Sequence, residues 1–223
     1  MEKKQIMYIM FDFDGTIVDS MPFLENIAVS LLMEQYGFSR KEGSHWYRKT
    51  SGLPFIQQMD IIAPNKTEMN SRIVNDFERM KIERIYEQDL FGDSLTVIKE
   101  LKERGYKLGI SSGTMEKILV EYLKKKEIDL FDDLLGWKPG FEKGAHHFNY
   151  VKKRENLDNS NLIFIGDSLH DARRAKKNNI SFIGKIGMFK QKDFEKIISD
   201  VEIISDLSEL LPKFPILESI RMK

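Results

Sequence analysis

Ile6-Met7-Tyr8-Ile9-Met10-Phe11-Asp12-Phe13-Asp14-Gly15-Thr16 is an apolar run that breaks off into two acids and a glycine. A short apolar run with no polar alternation reads as a strand covered on both faces. Asp12 and Asp14 stand two residues apart, so their side chains leave the strand end in similar directions. Gly15 then lets the backbone turn sharply. Further strands are expected over 106–110, 161–165 and 180–183, with a weaker one over 201–204 and a short one near Leu134-Leu135. Helices are expected over 94–104, 169–177 and 207–212. Strands that alternate with helices imply a parallel sheet with helices on both faces.

The interval 19–89 breaks this rhythm and reads as all helix. Leu24, Ile27, Ala28, Leu31 and Leu32 fall on one helical face, with Pro22 in the first turn. Gly52-Leu53-Pro54 marks a turn, and Thr67 is placed to cap a long helix carrying Ile73, Phe77, Met80 and Ile85. The expected organisation is an α/β, Rossmann-like core over 1–18 and 90–223, with an all-helical cap inserted over 19–89.

With 223 residues the chain is long enough for such a core and one small module. Its 35 basic and 35 acidic residues balance to a net charge of zero, without the basic excess that a nucleic-acid partner selects. The absence of cysteine excludes disulfides, thiolate zinc sites and a thiol nucleophile. The first apolar run superficially resembles a signal peptide, but it is short, and Asp12 and Asp14 fall where cleavage would be expected. No stretch approaches the length of a membrane-spanning helix. A cytoplasmic protein with neither membrane nor nucleic-acid partner is expected, while the sequence sets no oligomeric state.

Two other strand ends carry chemistry. Ser111-Ser112-Gly113-Thr114 closes one, and Gly166-Asp167-Ser168, with Asp171 four residues beyond Asp167, closes another. In an open parallel sheet such ends converge on one edge, where ligands bind. Clustered carboxylates repel one another and call for a cation, and an all-oxygen donor set favours Mg²⁺ over zinc. A hydroxyl and a free backbone N–H at Gly113 suit a phosphate oxygen. Each element alone is an ordinary solvated turn at a strand end. Their combination, in this order, is not.

These motifs resemble those of the haloacid dehalogenase superfamily of phosphohydrolases, in the branch with a helical C1-type cap after the first strand that includes phosphoglycolate phosphatases and β-phosphoglucomutases. Asp12-Phe13-Asp14-Gly15-Thr16 matches its first motif, Ser112 its second by register, and Gly166-Asp167-Ser168-Leu169-His170-Asp171 its fourth. For the third, a lysine, Lys138-Pro139 matches the usual dipeptide, while the spacing to Asp167 and the helix start after Lys143-Gly144 favour Lys143. The resemblance implies a Mg²⁺-dependent phosphatase for a small phosphorylated metabolite, acting through an aspartyl phosphate. Asp12 would be the nucleophile and Asp14 the general acid/base. Asp12, the Asp14 carbonyl and Asp167 would hold the metal. Ser112, Gly113 and Lys143 would hold the phosphoryl group, with Asp171 orienting Lys143 or binding the metal through water.

Asp14 argues against dehalogenation, because a halide leaving group needs no acid. Two other readings stay open: a phosphomutase of the β-phosphoglucomutase kind, and a non-catalytic phosphate-binding module. The second of these leaves Asp14 without a purpose. In the cap, Arg48 or Lys49 would pair with a substrate anion, the alternative being plain surface cations. His146 and His147 are expected to sit exposed at a helix start. Lys124-Lys125-Lys126 is expected to be the solvated end of a helix that buries Ile118, Leu119, Tyr122 and Leu123.

Overall fold

The computed structural model describes residues 7–217; Ile6, at the head of the first apolar run, lies outside them. Among the described residues six strands form one sheet: β1 (Tyr8–Phe11), β2 (Lys107–Met115), β3 (Asp133–Trp137), β4 (Leu162–Gly166), β5 (Ser181–Lys185) and β6 (Glu202–Ile204). Their order is β3-β2-β1-β4-β5-β6, and every pairing is parallel. β1 is central and buried at each of its four residues, as its unbroken apolar run requires. From β1 the chain fills one side of the sheet through β2 and β3, then returns to fill the other through β4, β5 and β6. Right-handed crossovers in opposite senses put helices on both faces and open a crevice beside β1, at the carboxyl ends of the strands.

On one face, Tyr8, Met10, Leu162, Phe164 and Phe182 pack against Phe148 and Val151 of α7 (Ala145–Glu155) and Ala172 and Ala175 of α8 (Leu169–Lys177). α5 (Ser94–Glu103) and α6 (Glu116–Lys125) lie against β2, and α6 buries Ile118, Leu119, Tyr122 and Leu123. α9 (Gln191–Glu195) adds Phe194 to the core. The helix expected over 207–212 is a 3-10 turn, Leu207–Leu210, stapled at its start by reciprocal Asp206 and Glu209 bonds. β2 runs past Ile110 to Met115, because β3 continues to pair with it after a register shift between Ser111 and Met115.

The described residues divide into two compact units, one of residues up to Val18 and from Leu90 onward, the other of Asp19–Asp89. The second is helical, with α1 (Met21–Tyr36), α2 (Arg40–Thr50), α3 (Phe55–Ile62) and α4 (Thr67–Arg84). α1 buries Leu24, Ile27, Ala28, Leu31 and Leu32 as their spacing predicts, together with Val29. Thr67 is not the cap of α4 but its first residue, since the Lys66 carbonyl already accepts the Asn70 N–H at 2.8 Å. No helix among the described residues is long and apolar enough to cross a membrane.

One polar tie crosses the edge of the sheet. The buried Tyr8 hydroxyl donates to Asp133 Oδ2 at 2.6 Å, and Arg154 grips both oxygens of the same carboxylate. Gly109 on β2 makes room for it, because a Cβ there would lie 2.1 Å from the Tyr8 hydroxyl. Gly109→Ala is therefore expected to cost about 1–3 kcal/mol in urea unfolding, the range typical of overpacking. Adding Tyr8→Phe should restore part of the loss. Equal stability of wild type and Gly109→Ala would show that the hydroxyl has room to move.

Candidate active site

Asp12 extends β1 by one step, its N–H donating to the Ile165 carbonyl of β4 at 2.8 Å. Beyond it the N–H groups of Thr16, Ile17 and Val18 all point at the Phe13 carbonyl. Gly15 has φ 79°, a left-handed conformation that glycine adopts without strain. The turn is anchored by the buried Phe13 ring, which meets Tyr122 edge-on at 5.1 Å. It presents Asp12, which is buried, and Asp14, which is half-buried, at the carboxyl end of the sheet. Asp14 Oδ2 accepts the Thr114 hydroxyl of β2 at 2.6 Å.

Asp12 Oδ1 accepts the Phe13 N–H at 2.7 Å, and Oδ2 lies 2.8 Å from Lys143 Nζ. The same ammonium lies 2.6 Å from Asp171 Oδ1. Asp171 belongs to the capping box of α8, and its Oδ2 accepts the Ser168 hydroxyl at 2.7 Å. Asp167 directly follows β4 and accepts a long contact from the Thr16 hydroxyl at 3.4 Å. Asp12, Asp167 and Asp171 are all buried, and one oxygen of each lies within 4.8 Å of the others.

Burial dominates the electrostatics. It drives the Asp12 carboxyl well above the ordinary range, against the pull of Lys143, and Asp171 and Asp167 add to the rise. Asp167 is pushed up to about 7 by burial and then by the charge of Asp171. Burial also works against ionisation of Asp171, but Lys143 and Arg174 outweigh it and hold that carboxyl below the usual range. Lys143 stays protonated: burial opposes its charge, and Asp12 and Asp171 more than offset that. The cluster is short of positive charge, and its donors are all oxygen. Both features fit a hard divalent cation.

Lys138 lies elsewhere: it is exposed and pairs with Glu116 at 2.7 Å, so the usual dipeptide is not the lysine that meets Asp12. Ser112 accepts the Thr114 N–H at 3.0 Å, and nothing lies within 4 Å of where a Gly113 Cβ would be. Arg48 and Lys49 are exposed on α2 and engaged within the helical unit, Arg48 with Glu25 at 2.8 Å and Lys49 over the Trp46 ring at 4.6 Å.

Two features escaped the sequence reading. Thr114 sits inside the quoted Ser111–Thr114 stretch, but only the bend of β2 turns its hydroxyl to Asp14. His147 is the second. His146 is exposed as expected, whereas His147 is fully buried and its Nδ1 lies 2.8 Å from the Ser111 hydroxyl. Helical spacing holds the signal, since His147 shares the inward face of α7 with Phe148 and Val151.

The sequence profile of the haloacid dehalogenase-like hydrolases matches residues 9–185. The chain is 24% identical to a phosphoglycolate phosphatase of Aliivibrio fischeri over 78% of its own length and 81% of that protein. It is 21% identical to the pyrophosphatase PpaX of Bacillus mycoides over 93% of its own length and 96% of that protein. A haloacid dehalogenase-like hydrolase from Bacteroides fragilis has the same fold, with a TM-score of 0.81 at 22% identity over 93% of this chain and all, 100%, of that one.

Burial, and then the charge of Lys143, lowers the His147 pKa to about 3, so the ring is neutral in the folded protein. In the unfolded chain it titrates near 6.5. Between those values the unfolded state binds the extra proton, and stability is lost as the pH falls through that window. His147→Gln is expected to flatten the loss by up to about 1.4 kcal/mol per pH unit between roughly pH 6 and 4. Urea unfolding at a series of pH values reads this slope. An unchanged slope would mean that His147 is protonated in the fold.

Proposed function

Because this chain belongs to the haloacid dehalogenase-like hydrolase family, we propose that it is a Mg²⁺-dependent phosphatase that hydrolyses a small phosphorylated metabolite through an aspartyl phosphate on Asp12. The observation that carries this reading is the Asp12 carboxylate fixed by Lys143 at 2.8 Å, with a second carboxylate, Asp14, on the same turn. A site that only bound phosphate would gain nothing from two carboxylates aimed at an anion.

Asp12 attacks phosphorus, an Asp12–phosphorus bond forms, and the bond from phosphorus to the ester oxygen breaks. Asp14 delivers its proton to the departing alkoxide. Asp14, now ionised, takes a proton from the water that attacks the aspartyl phosphate. Inorganic phosphate leaves and both carboxyls return to their starting states. The two acids need opposite protonation at the outset; Lys143 opposes the rise that burial imposes on Asp12, and a cation bound beside it would favour its ionised form further.

Lys143 opposes the rise that burial imposes on Asp12 and faces the phosphoryl oxygens, and Asp171 orients Lys143. Asp171 meets Lys143 at 2.6 Å and Ser168 at 2.7 Å, contacts that suit it to orienting the lysine. The Ser112 hydroxyl and the Gly113 N–H hold a phosphoryl oxygen where β2 shifts register against β3. Asp12, Asp167 and the Asp14 carbonyl would hold the metal. When bound, Mg²⁺ supplies the positive charge that the buried carboxylates lack and offsets charge on the transferring group. The phosphoglycolate phosphatases among the relatives favour a small carboxylate-bearing phosphate ester as substrate.

Wild type is expected to release p-nitrophenol from p-nitrophenyl phosphate with Mg²⁺ and to stop when EDTA removes it. Isomerised sugar phosphate without phosphate release would replace the phosphatase reading with the mutase one. Asp14→Asn is expected to lose about 10²–10⁴-fold in kcat, the usual worth of general acid/base catalysis. Its Mg²⁺ binding, read by calorimetry, should persist. Wild-type turnover by Asp14→Asn would remove the acid/base role.

A further inference from the structure

Lys185 is a lysine that this mechanism leaves unused. It is the last residue of β5 and is only 4% exposed. Gly166 and Gly184 are partners in register, so the residues that follow them, Asp167 and Lys185, leave adjacent strand ends side by side. The Lys185 ammonium stands 3.5 Å from the Gly15 carbonyl and 3.5 Å from the centroid of the Phe91 ring. The first contact is long for a hydrogen bond and acts as charge against dipole. The second is a close cation–π contact in a desolvated place.

Both contacts fall on the chain segments that join the core to its insertion. Gly15 lies on the outgoing segment, in the turn that carries Asp14. Phe91 lies on the returning one. The two segments are already tied together: Val18 and Leu90 form an antiparallel bridge, the Phe91 N–H donates to the Ile17 carbonyl at 3.0 Å, and the Ser94 hydroxyl donates to the same carbonyl at 2.9 Å. Lys185 is thus the point where the sheet grips both. A buried ammonium is a costly way to fill space that a leucine or methionine would fill. Here it meets a carbonyl, a ring face and the field of the acidic cluster.

We propose that Lys185 is a positioning residue: its ammonium pins the Asp14–Gly15 turn and the Phe91 return segment to the end of β5 and so holds the Asp14 carboxyl in place. The catalytic part of this inference rests on the phosphatase reading. Lys185→Met keeps the length and removes the charge, while Lys185→Arg keeps the charge. With p-nitrophenyl phosphate and saturating Mg²⁺, Lys185→Met is expected to lose about tenfold or more in kcat, a misplacement effect, with KM within about threefold of wild type. Lys185→Arg should recover most of the loss. Phe91→Leu should lower kcat less, and the combination of Phe91→Leu with Lys185→Met should be less than additive.

A second readout needs no turnover. Amide exchange at Ile17 and Val18, whose N–H groups close the turn on Phe13, should quicken about tenfold or more in Lys185→Met, with Phe164 in β4 unchanged. Should Lys185→Met fail to fold, Lys185→Arg and Phe91→Leu are measured in the same two ways. An inactive wild type would overturn the phosphatase reading alone, and the exchange data would still decide the pinning. Wild-type kcat and wild-type exchange in Lys185→Met would overturn the proposal. So would a lower melting temperature with unchanged kcat, which is what mere space-filling predicts.

Discussion

One ammonium group holds two buried carboxylates together. Lys143 Nζ lies 2.8 Å from Asp12 on β1 and 2.6 Å from Asp171 on α8, so a single side chain ties the loop before α7 to the ends of two other elements. Removing any of the three would leave an uncompensated charge in a place that water barely reaches. The rest of the site follows from satisfying that constraint. Asp171 is held by Ser168 within a capping box, and the box fixes the first turn of α8. The close approach of Asp167 then leaves the cluster with more negative charge than one lysine offsets, which is why burial drives Asp12 and Asp167 toward the neutral form. Such a cluster is poised to take up a cation, and ionising both acids is the free-energy cost that the cation offsets.

The sheet delivers these groups through its strand order alone. β1 lies between β2 and β4, and all three run parallel, so whatever follows their last residues meets at one edge. Asp12 and Asp167 each lie just beyond a strand end, and Ser112 lies within β2 where its register with β3 shifts. The helical insertion leaves and returns within this same edge. It does so through a short two-stranded tie, Val18 against Leu90, that closes before the helices begin. Each of the two units holds buried apolar residues.

Much of this was legible in the sequence because the decisive signals are local. The apolar run into Asp12, the Gly15 turn and the Ser168–Asp171 spacing each describe a strand end or helix start that neighbouring residues enforce. The choice between Lys138 and Lys143 also yields to distance along the chain, since the lysine must reach β1 from just before α7. Contacts that depend on the bend of a strand or the seating of a helix were not legible. Thr114 meets Asp14 because β2 shifts register after Ser111, and nothing in the Ser111–Thr114 string announces a shift. His147 was misjudged because adjacent histidines at a helix start look alike, although one faces water and the other the Ser111 hydroxyl. Thr67 looked like a cap, yet the ladder of α4 begins one residue earlier, a matter of where the preceding turn at Asn65 leaves the chain.

Lys185 belongs with the unreadable class for a different reason. A lysine after Phe182-Ile183-Gly184 looks like the ordinary solvated end of a strand, the commonest place for that residue. In the fold it is buried, against Gly15 and Phe91. Once buried, its charge needs compensation, and a carbonyl, a ring face and the nearby Asp167 carboxyl contribute to it. A divalent ion placed among the clustered carboxylates would compete with the two lysines for the same negative charge. Lys143 comes from before α7 and Lys185 from β5, so the two ammoniums reach the acidic cluster from different elements. The charge balance of the cluster is set by where the two lysines arrive as much as by the number of acids.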